Sequence, residues 1–553
     1  MKKAVSKLIK ATMIMGMFLL FSGCGGTKKD SQKENEASPD KIINMMEINE
    51  ISSMDSGNAL DGGSFIAITQ VMEGLFNLDT DDSIIPGVAE ELPEISEDGL
   101  TYTLKLRKNA KWSNGMKVTA HDFVYAWQRV VDANYASPSS FLLMDIKNAE
   151  AILGGVKQPE ELGVSAPDDY TLIVELEAPV AYFTSVMTFP TLFPLNESYV
   201  NEQGDNYGID ANHLLYNGPY VLENWEHGNQ KWTYSKNDLY WNSKQSNVDK
   251  VNIQVVKETN LAVDLYENNE LDRAVLSGEF AKQYKNDPDY TTQLDSWVHL
   301  IEVNQIKDGE KTIFADENAR KAIMIGIDRD HIVNEILDND SRVAGGVVAA
   351  EFVRNPESEE DFREESGILT SYDKVNAQKL WKKALSESET KEFTIDLLAS
   401  DQDENKKITE YIQYSLEENF EGLTVNISLL PEKSVLDRES NQDFDLLLTR
   451  IGPDFQDPTT YLNNYAGDSF HNHSGYNSSI YNELLQKAGE LSAKPKESWQ
   501  VLIDAEHTLL EEAGVVPLYQ SANTALMRQD IMGMIHHLFG PPNYYGKIIL
   551  KDE

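Results

Sequence analysis

Cysteine is nearly absent from this chain: Cys24 is the single one in 553 residues. That excludes an internal disulfide framework, a paired CxxC redox centre and a cysteine-rich zinc site. Long apolar runs are equally scarce. Beyond residue 21 no uncharged stretch approaches the roughly 20 residues of a membrane-spanning helix, so no transmembrane helix is expected there. Basic charge is short, with 48 Lys and Arg against 91 Asp and Glu and a formal net charge of −43. Such a surface repels nucleic acid and anionic headgroups, which excludes DNA or RNA binding. Catalytic signatures are missing as well: there is no HExxH, no GxSxG elbow and no P-loop. The densest histidine groups, His471-Asn472-His473 and His536-His537, have no carboxylates at helical spacing to complete a metal site. The expectation is a protein that binds without catalysing, with no metal and no cofactor.

What is present begins at the N-terminus. Lys2, Lys3, Lys7 and Lys10 precede the apolar run Ala11 to Phe21, and Phe21-Ser22-Gly23-Cys24 closes it with small residues. A charged start, a short apolar core and a small-residue junction read as an export signal over 1–23. The junction resembles the lipobox of bacterial lipoproteins, with Phe21 where leucine usually stands. That resemblance implies cleavage before Cys24 and a diacylglycerol on its thiol. Cys24 is therefore the expected lipidation site, placing the protein at the cell membrane, lipid-anchored on the extracytoplasmic (Gram-positive) face. Residues 25–39 are polar and charged and cannot repay ordering entropy. As a flexible tether they reach roughly 20 Å.

The remaining 510 or so residues exceed one hydrophobic core, so two or three domains are expected. Strand-like and helix-like segments alternate throughout, which indicates an α/β class. Thr101 to Leu106 alternates strictly, putting Tyr102, Leu104 and Leu106 on one face. Asn114-Gly115 marks a turn. Thr119 and Asp122 have capping-box spacing ahead of a helix whose stripe is Phe123, Val124, Trp127, Val130 and Val131. Trp112 and Trp127 read as core. Tyr170 to Glu177 alternates through Leu172, Val174 and Leu176. Asp316 caps a helix predicted to run to Leu337. Phe393 to Ser400, Leu423 to Leu430 and Phe444 to Leu448 read as strands with helices between them, and Val515 to Tyr519 as a late strand.

The block Leu92 to Asp132 resembles the signature region of the large extracytoplasmic solute-binding proteins of peptide ABC importers, family 5, and among these the oligopeptide-binding lipoproteins. Further motifs keep the family's order: Glu73-Gly74-Leu75, Pro86-Gly87-Val88-Ala89-Glu90, Asn217-Gly218-Pro219-Tyr220, Lys236-Asn237-x-x-Tyr240-Trp241, Arg320-Lys321-Ala322 with Ile327-Asp328-Arg329, and Gly452-Pro453-Asp454-Phe455-x-Asp457-Pro458. The resemblance implies a two-lobed periplasmic-binding-protein-like fold of type II, with a hinge and an extra third domain. Lobe I would comprise 40–80, 206–301 and 526–553, the extra domain 81–205 and lobe II 302–525. The hinge crossings would lie near Ile301–Asn304 and near Ala525. A ligand touching both lobes would favour the closed state by its differential contacts.

The resemblance also implies a function: capture of oligopeptides in the interlobe cleft and delivery to ABC transporter permease subunits, by a monomer. A peptide pheromone receptor, a binder of nickel or a sugar, and a surface adhesin are the alternatives. A general peptide binder must grip the backbone and the free α-ammonium, by strand addition and an anchoring carboxylate. The family's ammonium-binding Asp falls on Asp454, which on local sequence alone is a turn former. Arg450 and Gly452 would flank the peptide, and Arg450 is either a solvated surface arginine or a cation for a peptide carboxylate. Asn304 would bond the ligand backbone from a hinge-side strand, or serve as a strand-end structural residue. Two positions depart from a well-known branch of the family: Ser64, where that branch has a ligand-facing acid, and Ile451, where it has Trp.

Overall fold

A computed structural model describes residues 40–551 apart from Ala493 and the side chains of Glu432 and Lys433. The export signal 1–23, Cys24 and the tether 25–39 lie outside the described residues.

Three sheets carry the architecture. The first joins distant parts of the chain, because Ile42–Glu47 runs parallel to Lys250–Val255, followed by Lys231–Lys236 and Tyr220–Glu223 antiparallel. The second is the four-stranded sheet Glu94–Ile95, Thr101–Lys105, Thr171–Glu175 and Val164–Asp168. Its alternation buries Tyr102, Leu104, Leu172 and Val174 on one face. The helix Ala120–Val131 covers that face, opened by the Asp122 carboxylate accepting the Thr119 backbone N–H at 2.8 Å. Trp112 and Trp127 are buried core residues, and the Trp127 indole N–H donates to the Leu192 carbonyl at 2.8 Å. Burying such a side chain stabilises the fold by roughly 1.5–3 kcal/mol.

The third sheet runs Arg273–Leu276, Val515–Met527, Tyr290–Val303, Leu446–Ile451, Phe393–Ser400 and Leu423–Leu430, with Arg342–Val343 paired to the second of these. The last three are parallel neighbours whose connections contain the helices Asp403–Asn419 and Glu432–Ser440, as the strand-helix-strand reading expects. The strand expected at Phe444–Leu448 is displaced to Leu446–Ile451. Its start waits for Asp445, whose carboxylate accepts the Asp396 N–H at 2.9 Å.

The two long strands Tyr290–Val303 and Val515–Met527 pair along most of their length, but the ladder is broken between Leu294 and Val298 and again at His299. Leu294 faces Ala522 and Val298 faces Gln520, so Asp295, Ser296 and Trp297 oppose the single residue Ser521 and bulge out. The two expected crossing points do not face each other: Ile301 pairs with Val516, while Ala525 pairs with Thr291. The irregularity at 295–297 lies between them.

One expected helix is two. Glu317–Gly326 is capped by Asp316 as predicted, but Ile327 and Asp328 are extended, and Asp328 caps a new turn by accepting the Asp330 and His331 N–H groups. The apolar periodicity continued across the break because Ile327 and Ile332 are both buried; the second cap decides the backbone.

Hydrophobic packing forms two large cores. One unites residues of the first two sheets with Ile531, Tyr545 and Ile548. The other gathers residues from Val298 to Tyr519 with Leu78 and Phe539. The family-like motifs are what tie the first core together. Glu73 accepts the Tyr240 hydroxyl at 2.5 Å, the Trp241 indole N–H at 2.6 Å and the Asn77 amide at 2.7 Å. Asn217 bonds the backbone N–H and C=O of Glu73. A Cβ on Gly218 would meet the Val71 backbone at 2.6 Å, so only glycine permits this approach.

Candidate ligand-binding site

The bulge at 295–297 turns Trp297 toward the segment that leaves the strand Leu446–Ile451. There Arg450 pairs with His299 across the ladder, and its guanidinium lies 4.6 Å from the Trp297 ring centroid. Two residues on, Gly452 lies flat against the same indole: a Cβ there would approach the ring to 2.7 Å. Glycine is required by this contact, since the backbone itself is the surface that meets the ring.

The loop after Gly452 is built to hold its shape. Asp454 donates its backbone N–H to Thr460 Oγ1 at 3.0 Å, and Asp457 accepts the Thr459 N–H at 2.9 Å. The short helix Thr459–Leu462 is docked onto the bulge by the Tyr461 hydroxyl, which donates to the Ser296 carbonyl at 2.6 Å. Bulge, loop and helix are therefore one braced unit.

Within it the Asp454 carboxylate stands apart. Among the described residues no cation pairs with it and no donor hydrogen-bonds it. Burial alone pushes its pKa up to about 6 from 3.8. Some other buried carboxylates are answered, while Glu302 also lies buried with an oxygen that no donor meets among the described residues. Asp55 takes a two-pronged contact from Arg129 at 2.8 and 2.7 Å, and Glu506 receives Arg363, Ser366 and the N–H groups of Val347 and Val348. A carboxylate in a largely desolvated place without a partner is costly when charged, and any cation that reached it would lower that cost.

Across the ladder from Arg450, His299 belongs to a buried polar group of its own. His299 stacks on Tyr519 at 4.3 Å between centroids, with the Tyr519 hydroxyl 3.0 Å from Nδ1. Burial, reinforced by the Arg450 charge, lowers His299 to about 3, so it is neutral at physiological pH. Burial raises Glu404, whose carboxylate lies 3.1 Å from the same hydroxyl.

Of the sequence-expected residues, Arg450 and Gly452 come together on Trp297, with Asp454 on the same braced loop. Asn304 does not join them. It is fully buried, its amide donates to the Gln442 and Phe444 carbonyls at 2.9 Å each, and its Oδ1 accepts the Ile306 N–H at 3.1 Å. Its hydrogen-bonding groups are engaged in tying the loop before the strand Leu446–Ile451, which is the strand-end role. Ser64 likewise serves as a fixture, donating to Asp61 at 2.7 Å and accepting the Ser52 N–H at 3.0 Å. Trp297 was missed from sequence, since nothing local marks a bulge whose partner strand lies more than 200 residues away. His471, His473, His536 and His537 form no cluster of three or more potential metal ligands among the described residues.

The chain is similar to known proteins along most of its length. The family model described as bacterial extracellular solute-binding proteins, family 5 Middle, matches residues 83–472. The dipeptide-binding protein DppE of Bacillus subtilis (strain 168) is 30% identical over 545 residues, 97% of this chain and 98% of that protein. Among solved structures, Listeria monocytogenes OppA bound to peptide is 39% identical with a TM-score of 0.82, covering 93% of this chain and 100% of that one. Pheromone receptor PrgZ, solved to show its mode of peptide binding, is 36% identical with a TM-score of 0.82, again covering 93% and 100%.

Proposed function

The chain belongs to family 5 of the bacterial extracellular solute-binding proteins, which bind and do not catalyse, and on that premise we propose that it captures oligopeptides by their free α-ammonium. Asp454 receives the ammonium, the backbone at Gly452 runs beside the peptide, and Arg450 pairs with a peptide carboxylate. The single observation that carries this reading is the unpartnered, desolvated carboxylate of Asp454 on a braced loop. A neutral ligand such as a sugar would leave that charge unanswered, and a nickel ion would need further ligands, of which the described residues gather no cluster.

The captured peptide is delivered to the permease of an ABC importer, and the protein works as a monomer anchored through a diacylglycerol on Cys24. The domain division 40–80 with 206–301 and 526–553, 81–205, and 302–525 serves closure of the cleft. We place the hinge at the bulge 295–297, where the two long strands lose register. Likeness to a pheromone receptor favours one second reading, capture of a signalling peptide in the same cleft. Mass spectrometry of the peptides that co-purify with the protein separates the two, as a mixed population or a single species.

The test is a double cycle by calorimetry. The tightest binder is chosen from a panel of free-amine peptides of four to ten residues, and its N-acetylated form is made. A charge-assisted contact to a desolvated group is worth about 1.5–3 kcal/mol, so Asp454→Asn should weaken the free-amine peptide by roughly ten- to a hundredfold. Acetylation should cost wild type a similar factor and cost the variant much less, because both changes remove one interaction. Penalties that simply add, or a panel with no binder at all, refute the assignment.

A further inference from the structure

Phe455, the residue after Asp454, leaves its own core. Of residues 302–525 it is the one, among the described residues, that packs against the first hydrophobic core rather than the second. Its ring lies parallel to that of Tyr182, with centroids 4.2 Å apart and 14° between planes. The next residue continues the contact, as the Gln456 N–H donates to Ser185 Oγ at 3.2 Å. Tyr182 and Ser185 belong to the segment 81–205, far from the ligand loop in sequence and otherwise outside the site.

Tyr182 is itself held from behind. Its hydroxyl bonds the Asp145 carboxylate of the same segment. It directly precedes the helix Phe183–Val186, whose Phe183 stands edge-on to the buried Tyr102 at 5.2 Å. The ring is oriented by its own surroundings, so it presents a fixed flat face to whatever the loop brings. Among the contacts on the loop, Thr460 accepts the Asp454 backbone N–H, and Tyr461 ties the helix that follows to the bulge. The stack on Phe455 and the bond to Gln456 act on the side adjoining Asp454, from a different core.

We propose that Tyr182 is a positioning residue for ligand recognition: by clamping Phe455 it fixes the neighbouring Asp454 where the ligand ammonium is received. The segment 81–205 thereby takes part in peptide binding without touching the peptide. This rests on the ammonium reading of Asp454, and the experiment keeps the two separable.

Dissociation constants are measured by calorimetry for the panel peptide and its N-acetylated form on the mature protein and on Tyr182→Ala, Tyr182→Phe and Phe455→Leu. An aromatic stack of this geometry contributes an amount equivalent to roughly a three- to tenfold change in affinity. Tyr182→Ala should weaken the free-amine peptide by that factor and shrink the acetylation penalty, because Asp454 is no longer held in place. Tyr182→Phe keeps the ring, Phe183 and the stack while losing the Asp145 bond, and should recover most of both. Phe455→Leu breaks the stack from the loop side and should reproduce the alanine result, which keeps the test decisive if Tyr182→Ala fails to fold. A full acetylation penalty in Tyr182→Ala or in Phe455→Leu, or no recovery in Tyr182→Phe, overturns the proposal. Absence of an acetylation penalty in wild type overturns the Asp454 reading instead.

Discussion

Asp454→Asn should make the ligand-free protein more stable while it damages binding. The reason is the uncompensated carboxylate. A carboxyl whose pKa rises from 3.8 to about 6 on folding costs the folded state roughly 3 kcal/mol at neutral pH, at about 1.4 kcal/mol per pH unit. Residual water contact in the cleft reduces that to about 1–3 kcal/mol. Asparagine keeps the shape and removes the charge. For some 510 residues the unfolding entropy is about 1.1 kcal/mol/K, so the variant should melt about 1–3 °C above wild type at pH 7.5 without peptide. The pH dependence follows from the direction of the shift. Between pH 4 and 6 the folded state binds more protons at this site than the unfolded one, so the cost of Asp454 is complete above pH 6 and vanishes as pH falls below 4. The melting difference should therefore close as pH falls from 7.5 to 4. Saturating peptide should reverse the order at pH 7.5, since binding stabilises wild type by RT ln(1 + [L]/Kd) and the variant by less. Scanning calorimetry with and without peptide across that pH range is the assay. An apo Asp454→Asn protein that is less stable than wild type, or a difference that does not change with pH, would mean the carboxylate has an internal partner and is a structural turn residue.

Two further outcomes are expected. Gly452→Ala places a methyl 2.7 Å from the Trp297 indole; relieving that overlap by shifting the loop costs about 1–2 kcal/mol, read as a five- to thirtyfold rise in the peptide Kd by calorimetry, and an unchanged Kd would show that the loop does not meet the ligand. Cys24→Ala should abolish palmitate labelling and move the protein from the membrane fraction toward the medium or a precursor, because two acyl chains anchor stably where one does not; persistent labelling of the variant rules out this anchor.

Much of the fold is legible in the sequence because its signals are local. Alternation at Thr101–Leu106, the Thr119–Asp122 cap and the runs at 393–400 and 423–430 each specify an element through residues in contact along the chain. The family-like motifs are legible too, but most of them mark construction. Glu73, Asn217, Tyr240 and Trp241 meet in one buried knot, and Arg320 and Arg329 brace backbone carbonyls at 512 and 517. Where local signals conflict, the wrong one is easily preferred. Apolar spacing carried a helix across Asp328, although the same aspartate is a second cap. Asn304 admitted both a ligand contact and a strand-end role because the two kinds of amide look alike until their partners are seen.

The site itself depends on a fact no local pattern contains, namely which cations are already engaged. In a chain with 91 acids against 48 bases, the placement of each arginine decides which carboxylates remain unanswered. Arg129 is taken by Asp55, Arg363 by Glu506 and Arg438 by Asp396. Arg107 lies over Trp241, and Arg450, four residues from Asp454, lies over Trp297. That last placement matters most. An arginine so close in sequence would neutralise Asp454 if it could turn back along the loop. The indole offers its guanidinium a competing surface, and the backbone at Gly452 lies on the same ring. Trp297, thrust out by a bulge, thus gives the Arg450 guanidinium a partner other than Asp454. On the proposed reading, a ligand with an ammonium at one end and a carboxylate further along would meet both charges.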